Sequence, residues 1–338
     1  MTREAVQGQT LEAPPREDAA GVETRADASA GASEAAAIEV ILNDSAGGGG
    51  CEPARELLRK IFGEANVSAN VSLARDGEEL AALARRAAQA PGCEAVWAGG
   101  GDGTVSAVAS ALVGTEKALG VLPLGTLNHF AKDLGLPLDL EEAARALLAG
   151  RVARADAAEV NGRVFVNNSG LGIYPSIVRE RERRQERHGL GKWVALAWAT
   201  VTVLRRYPYL RVLLTAEGRT LSRRTPFVFV GNNEYELDAF RIGARPRLDR
   251  GLLCVHLTRR DSGRLGLLRL ALGALTGRLR EDRDFESLKT DELTIETRQS
   301  RARVSLDGEV TVMQTPLRYR TLPGALRVIT PKAETGKP

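Results

Sequence analysis

Apolar and polar positions change rhythm twice along this chain of 338 residues. Residues 1–37 are rich in Ala, Glu, Pro, Gly and Asp and have no apolar period, which predicts a disordered tail. From Ile38 onward, short apolar runs alternate with amphipathic stretches. Strands are predicted at Ile38–Leu42, Val67–Leu73, Cys93–Trp97 and Ala118–Leu122. Helices are predicted at Pro53–Phe62, Glu78–Ala90 and Thr104–Val113, with another starting at Leu127–Leu134. Such alternation with short loops implies an α/β, doubly wound parallel sheet over residues 38–155.

After about Arg154 the period shortens. Val160–Val166, Arg211–Thr215, Pro226–Val230, Leu252–Thr258, Glu292–Glu296, Arg303–Leu306, Val310–Gln314 and Arg327–Thr330 read as strands, with turns such as Glu217-Gly218 and Asp307-Gly308 between them. Residues 156–330 are expected to form an antiparallel β-sandwich, its last strands free to return to the first domain, followed by a tail at 331–338. Two helical inserts interrupt it, Lys192–Arg206 and Arg264–Arg280. No run of about 18 apolar residues occurs, so no bilayer-spanning helix is expected. Residues 1–37 also lack the apolar core of a signal peptide.

Composition adds little to the fold but narrows the partners. At 43% hydrophobic and 27% charged residues the chain can build a sizeable core. Cys51, Cys93 and Cys254 form no CxxC pair, which argues against a disulfide framework or zinc site and for a reducing, cytoplasmic setting. The net charge of +4 is uneven: residues 1–37 hold three Arg against seven acids, leaving 44 basic and 36 acidic residues for the rest. A basic body fits an anionic partner, such as a nucleotide or an anionic lipid surface. Nucleic acid has only this charge behind it, with 4% aromatics and no recognised module.

The chemistry concentrates in loops. Gly99-Gly100-Gly101-Asp102-Gly103-Thr104 joins a predicted strand to a helix start, where free N–H groups and the helix dipole suit a phosphate. Taken alone it is equally a tight turn. Asp102 beside a phosphate requires a cation between them, which points to Mg²⁺. Leu122-Pro123-Leu124-Gly125-Thr126-Leu127-Asn128 repeats the strand–loop–helix pattern, and Asn43-Asp44-Ser45-Ala46-Gly47 follows the first strand. Loops at the carboxyl ends of neighbouring parallel strands face one crevice, so a nucleotide site is expected there. It is neither a Walker loop nor a protein-kinase set. Ser305-Leu306-Asp307-Gly308-Glu309-Val310 is first a hairpin turn, and such a turn also presents Glu309 rigidly.

The ordered set GGGDGT (99–104), PLGTLNHFAKDLGLP (123–137), FVNNSGLGIYPSIV (165–178), GARPRLDRGLL (243–253) and LDGE (306–309) resembles the diacylglycerol kinase catalytic-domain family, which includes bacterial lipid kinases and sphingosine kinases. The resemblance runs from about Ile38 to Ile329. It implies a phosphofructokinase-like first domain, a β-sandwich second domain and an active site between them. By that similarity Gly100, Gly101, Asp102, Gly103, Thr104, Val105, Ser106, Thr126 and Asn128 contact ATP, and Asn43 and Ser45 match the family's first-strand turn. Glu309 matches the proton acceptor with Asp307 beside it. Asp156 matches a further carboxylate organising Mg²⁺ near Asp102.

The implied reaction is transfer of the γ-phosphoryl of ATP to a lipid hydroxyl, of diacylglycerol or a related lipid, by a cytoplasmic, peripherally membrane-associated enzyme. The basic cluster Arg179–Arg187 and the arginines of 264–280 would meet an anionic membrane, although such apolar stripes pack onto cores more often than onto lipid. A homodimer is compatible with the sequence.

Three departures stand out. His129 replaces an Asp found in many relatives, with Asp133 a substitute one turn on; Asp44 replaces a Pro; and Arg250 replaces a metal-binding Asp. Arg250 is expected to supply the charge of that ion itself, leaving Arg247–Leu252 without a structural metal. Two rival readings are a catalytically weak lipid- or nucleotide-binding regulator, favoured by His129 and Arg250, and an NAD kinase-like enzyme with a similar GGDGT loop.

Overall fold

β1 (Ala37–Asn43), β2 (Ala69–Ala74), β3 (Cys93–Gly100) and β4 (Ala118–Pro123) run parallel in the order β2-β1-β3-β4 in the computed structural model, which describes residues 37–44, 51–172, 209–238, 241–258 and 285–332. The tail 1–37 up to its last residue, Ser45 with its loop, the cluster Arg179–Arg187 and the inserts Lys192–Arg206 and Arg264–Arg280 lie outside the described residues. α1 (Glu52–Glu64) lies beside α5 (Leu140–Leu148), and α2 (Gly77–Gln89) lies beside α3 (Asp102–Leu112). The sheet is therefore covered on both faces, and its strands read as nearly continuous apolar runs. α2 and α5 start where the sequence supplies an acceptor: Asp76 accepts from Glu78 N and Glu79 N, and Asp139 from Glu142 N. The expected helix from Leu127 is the single turn α4 (His129–Asp133), which follows Asn128 in a left-handed conformation (φ 50°).

The second half holds β5 (Arg151–Val160), β6 (Arg163–Phe165), β7 (Asn168–Gly172), β8 (Leu210–Ala216), β9 (Arg219–Thr225), β10 (Phe227–Asn232), β11 (Glu236–Asp238), β12 (Arg241–Ala244), β13 (Leu253–Thr258), β14 (Phe285–Thr290), β15 (Glu292–Thr297), β16 (Arg301–Leu306), β17 (Glu309–Gln314) and β18 (Leu317–Thr330). One sheet, β14-β13-β10-β7-β16-β17, is antiparallel. It packs on β18, β15 and β8 through Leu171, Val228, Val230, Val255, Val304, Val212, Ile295 and Leu317, which makes the antiparallel sandwich.

The predicted strand Val160–Val166 is instead a hairpin. Asn161 and Gly162 have φ of 48° and 78°, the left-handed pair of a two-residue turn joining β5 to β6. The predicted strand Arg327–Thr330 is the end of the much longer β18. This strand pairs antiparallel with β15 near its start and with β5 along its length. It then runs parallel to β4 at Arg327 and Val328. The sheet of the first half thus continues into the sandwich, and the hairpin β16–β17 is carried to α3.

Candidate active site

Register aligns the loop-bearing strand ends. Leu42 pairs with Gly99, and Gly100 pairs with Pro123, so the loops after β1, β3 and β4 leave one edge of the sheet side by side. At the start of α3 the first intrahelical bond is Val105 N to Gly101 O. The N–H groups of Gly101, Asp102, Gly103 and Thr104 consequently have no intrahelical acceptor and present the positive end of the helix. Val105 was expected to contact ATP, but its N–H is already in the helix ladder and its side chain is 2% exposed in the core.

Glycine is needed here for contact. A Cβ on Gly100 would run into the Thr104 side chain, and one on Gly125 would run into the backbone of Gly101. The two glycine loops therefore touch main chain to main chain. Thr104 is buried, and its hydroxyl accepts from Asn43 Nδ2 at 2.9 Å, so this pair ties the first loop to β1. Asn128, expected among the nucleotide contacts, holds its own loop: Oδ1 accepts from Gly125 N (3.0 Å) while Nδ2 donates to Gly125 O (2.8 Å) and Pro123 O (3.3 Å). Thr126 is left exposed at the tip of that loop. Asp102 Oδ1 accepts from Phe130 N at 3.3 Å, joining α3 to α4.

The β16–β17 hairpin reaches this point from the sandwich. Glu309 is exposed, and a Cβ built on Gly103 would lie 3.8 Å from its Oε1. Asp307, also expected to be catalytic, is instead the anchor of the turn. Its Oδ1 accepts from Asn167 N and Asn168 N at 2.8 Å each. Its Oδ2 accepts from Val166 N at 2.8 Å and from the Ser106 hydroxyl at 2.5 Å. Ser106 is thereby engaged with the hairpin rather than free for ATP. Burial pushes the Asp307 carboxyl above the ordinary carboxylate range, and its four donors act in the opposite sense. Asp307→Asn would turn an N–H toward two of those donors, and should cost about 1–3 kcal/mol of stability. Thermal unfolding followed by circular dichroism reads this, and an unchanged midpoint would mean that the hairpin is held elsewhere.

Two carboxylates proposed for metal binding are engaged otherwise. Asp133, the substitute for the missing carboxylate at His129, is buried against Arg245: Nε donates to Oδ2 at 2.8 Å and the backbone N of Arg245 to Oδ1 at 3.2 Å. Asp156 is 3% exposed and accepts from Gly251 N (2.6 Å) and Gly324 N (2.8 Å), fastening the 246–252 loop and β18 to β5. Both of its carboxylate oxygens are therefore engaged as structural acceptors. In the 246–252 loop Arg250 is exposed, and its backbone N donates to Asn233 Oδ1 at 2.9 Å. Asp249 is paired with Arg247. The loop is thus held by Asp156 and Asn233.

Among the described residues no group of three His, Cys, Asp or Glu side chains is disposed to hold a metal ion. Mg²⁺ does not require such a group, because it is commonly bound by one or two carboxylates together with nucleotide phosphates. Asp102, in the first turn of α3, would be the residue to hold it.

Sequence reading missed Arg245. The adjacent pair Asn167-Asn168 entering a buried strand was a usable signal, because buried amides require partners.

Residues 37–160 match the family model "Diacylglycerol kinase catalytic domain", and residues 177–330 match "YegS C-terminal NAD kinase beta sandwich-like domain". A "Probable lipid kinase YegS-like" protein of Pseudomonas aeruginosa is 31% identical over 291 residues, covering 80% of this chain and 92% of that protein. An uncharacterised protein of Synechocystis is 26% identical over 305 residues, or 86% of this chain and 70% of that one. A diacylglycerol kinase structure from Bacillus anthracis str. Sterne superposes with a TM-score of 0.64 at 20% identity, covering 88% and 98% of the two chains.

Proposed function

The chain belongs to the diacylglycerol kinase catalytic-domain family of lipid kinases, and from that premise we propose that it transfers the γ-phosphoryl of ATP to the hydroxyl of diacylglycerol or a related lipid. The observation that carries the reading is the approach of Glu309 Oε1 to Gly103, in the first turn of α3. A phosphate received by the free N–H groups of that turn would lie beside a carboxylate able to take a hydroxyl proton. Bound Mg²⁺ would neutralise charge on the transferring phosphates, with Asp102 as its protein ligand. Positioning and charge neutralisation then supply most of the acceleration. The lipid would come from an anionic membrane, drawn by the basic body of the chain.

No helix of the described residues is long and apolar enough to cross a membrane. The test is transfer of labelled phosphate from Mg·ATP to diacylglycerol, monoacylglycerol, ceramide, a sphingoid base or NAD, with the lipids in anionic or neutral vesicles. Label should enter a lipid, faster from anionic vesicles. Label in NAD alone, or in no acceptor, would overturn the reading.

A further inference from the structure

Arg245 has a fully buried side chain and engages three segments at once. One edge of its guanidinium holds Asp133 of α4. Nη1 donates to Val166 O at 2.6 Å, and Nη2 donates to Asn167 Oδ1 at 2.8 Å. Its Cζ lies over the rings of Phe130 and Tyr235, 5.5 Å from each centroid. Val166 and Asn167 are in turn the residues whose N–H groups grip Asp307, and Asp307 accepts from Ser106 of α3.

Followed round, these contacts close on themselves. They run from Asp102 to Phe130 N, along α4 to Asp133, through Arg245 to Val166 and Asn167, and through Asp307 to Ser106. Asp102 and Ser106 stand four residues apart on α3, one turn along the same face. Glu309 projects from the hairpin toward Gly103, within that turn.

Resting on the lipid-kinase reading, we propose that Arg245 is a positioning residue which fixes Glu309 against the phosphate-binding turn by closing this ring. A buried ion pair is often no more stabilising than apolar residues of equal volume, and in some proteins its role is to specify geometry. The fork of Arg245 is what lets one side chain face Asp133 and the β6–β7 junction together. A lysine keeps the charge and loses the fork.

The test compares Arg245→Lys with Val212→Ala. Val212 lies in the sandwich core, 2% exposed, and takes no part in the ring, so its truncation serves as a control for loss of stability alone. Arg245→Lys should lower kcat roughly tenfold or more, the scale on which small misplacements act, with the KM for ATP little changed. Val212→Ala should retain kcat. Hydrogen exchange in 301–314 should quicken in Arg245→Lys beyond Val212→Ala, a readout independent of any acceptor. If the unaltered protein phosphorylates no lipid while the Arg245→Lys hairpin still exchanges faster, the kinase reading fails and the ring stands. Unchanged hairpin exchange, or equal kcat losses in the two variants, would overturn the proposal.

Discussion

Glu309→Gln should leave the thermal midpoint and nucleotide affinity in place and lower turnover by roughly 10² or more, the usual scale of general-base catalysis. The bonds that hold the hairpin converge on Asp307, while the carboxylate of Glu309 is exposed and faces Gly103. Glutamine has the same shape and cannot take up the hydroxyl proton. The comparison with Asp307→Asn is informative because the two residues are neighbours on one turn. Loss at Asp307 should appear in unfolding, and loss at Glu309 in steady-state turnover with nucleotide binding unchanged by calorimetry. Near-normal turnover in Glu309→Gln would remove it as the proton acceptor.

The parallel sheet and its loops were legible because strand, glycine loop and helix start are neighbours in sequence, so local pattern specifies them. The same holds for the Asp307-Gly308 turn. Elements whose pattern competes with another signal were missed. β9 alternates its residues but reads Arg-Thr-Leu-Ser-Arg-Arg-Thr, too polar for an apolar-run criterion, because one face meets solvent. α5 was announced by Asp139 with Glu142 three residues on, a start signal that lies close behind the expected helix from Leu127. Asn161-Gly162 sits within an apolar run and was absorbed into one strand, although that dipeptide is itself a hairpin signal. The contacts that assemble the site are of another kind. Arg245 meets Asp133 across 112 residues, and Ser106 meets Asp307 across 201. No period or spacing encodes such pairs. The family resemblance suggested metal binding for Asp156 and a place beside the proton acceptor for Asp307, and residue type suggested Asp133 as a substitute ligand, because a carboxylate looks the same in sequence whether it meets a cation or a cage of amides.

Asp102→Ala should lower turnover by at least roughly 10² and weaken Mg·ATP without weakening metal-free ATP. Two accounts of Asp102 predict different binding. As a structural residue it accepts from Phe130 N and lies in the first turn of a helix, where an acid contributes about 0.3–1 kcal/mol through the dipole. Its loss would then loosen the loop and weaken both forms of the nucleotide alike. As a ligand it faces the phosphates through a cation. Without that cation a carboxylate about 4 Å from a phosphate charge repels it by about 4 kcal/mol at an effective dielectric constant of 20. Removing Asp102 would then relieve repulsion toward metal-free ATP while taking away a ligand from Mg·ATP, and the two affinities should move in opposite directions. Calorimetric titration with ATP in excess Mg²⁺ and in excess chelator reads both on one preparation. Affinities that fall together would assign Asp102 to holding α4 against α3, and the divalent ion would then have to be carried by the nucleotide without it.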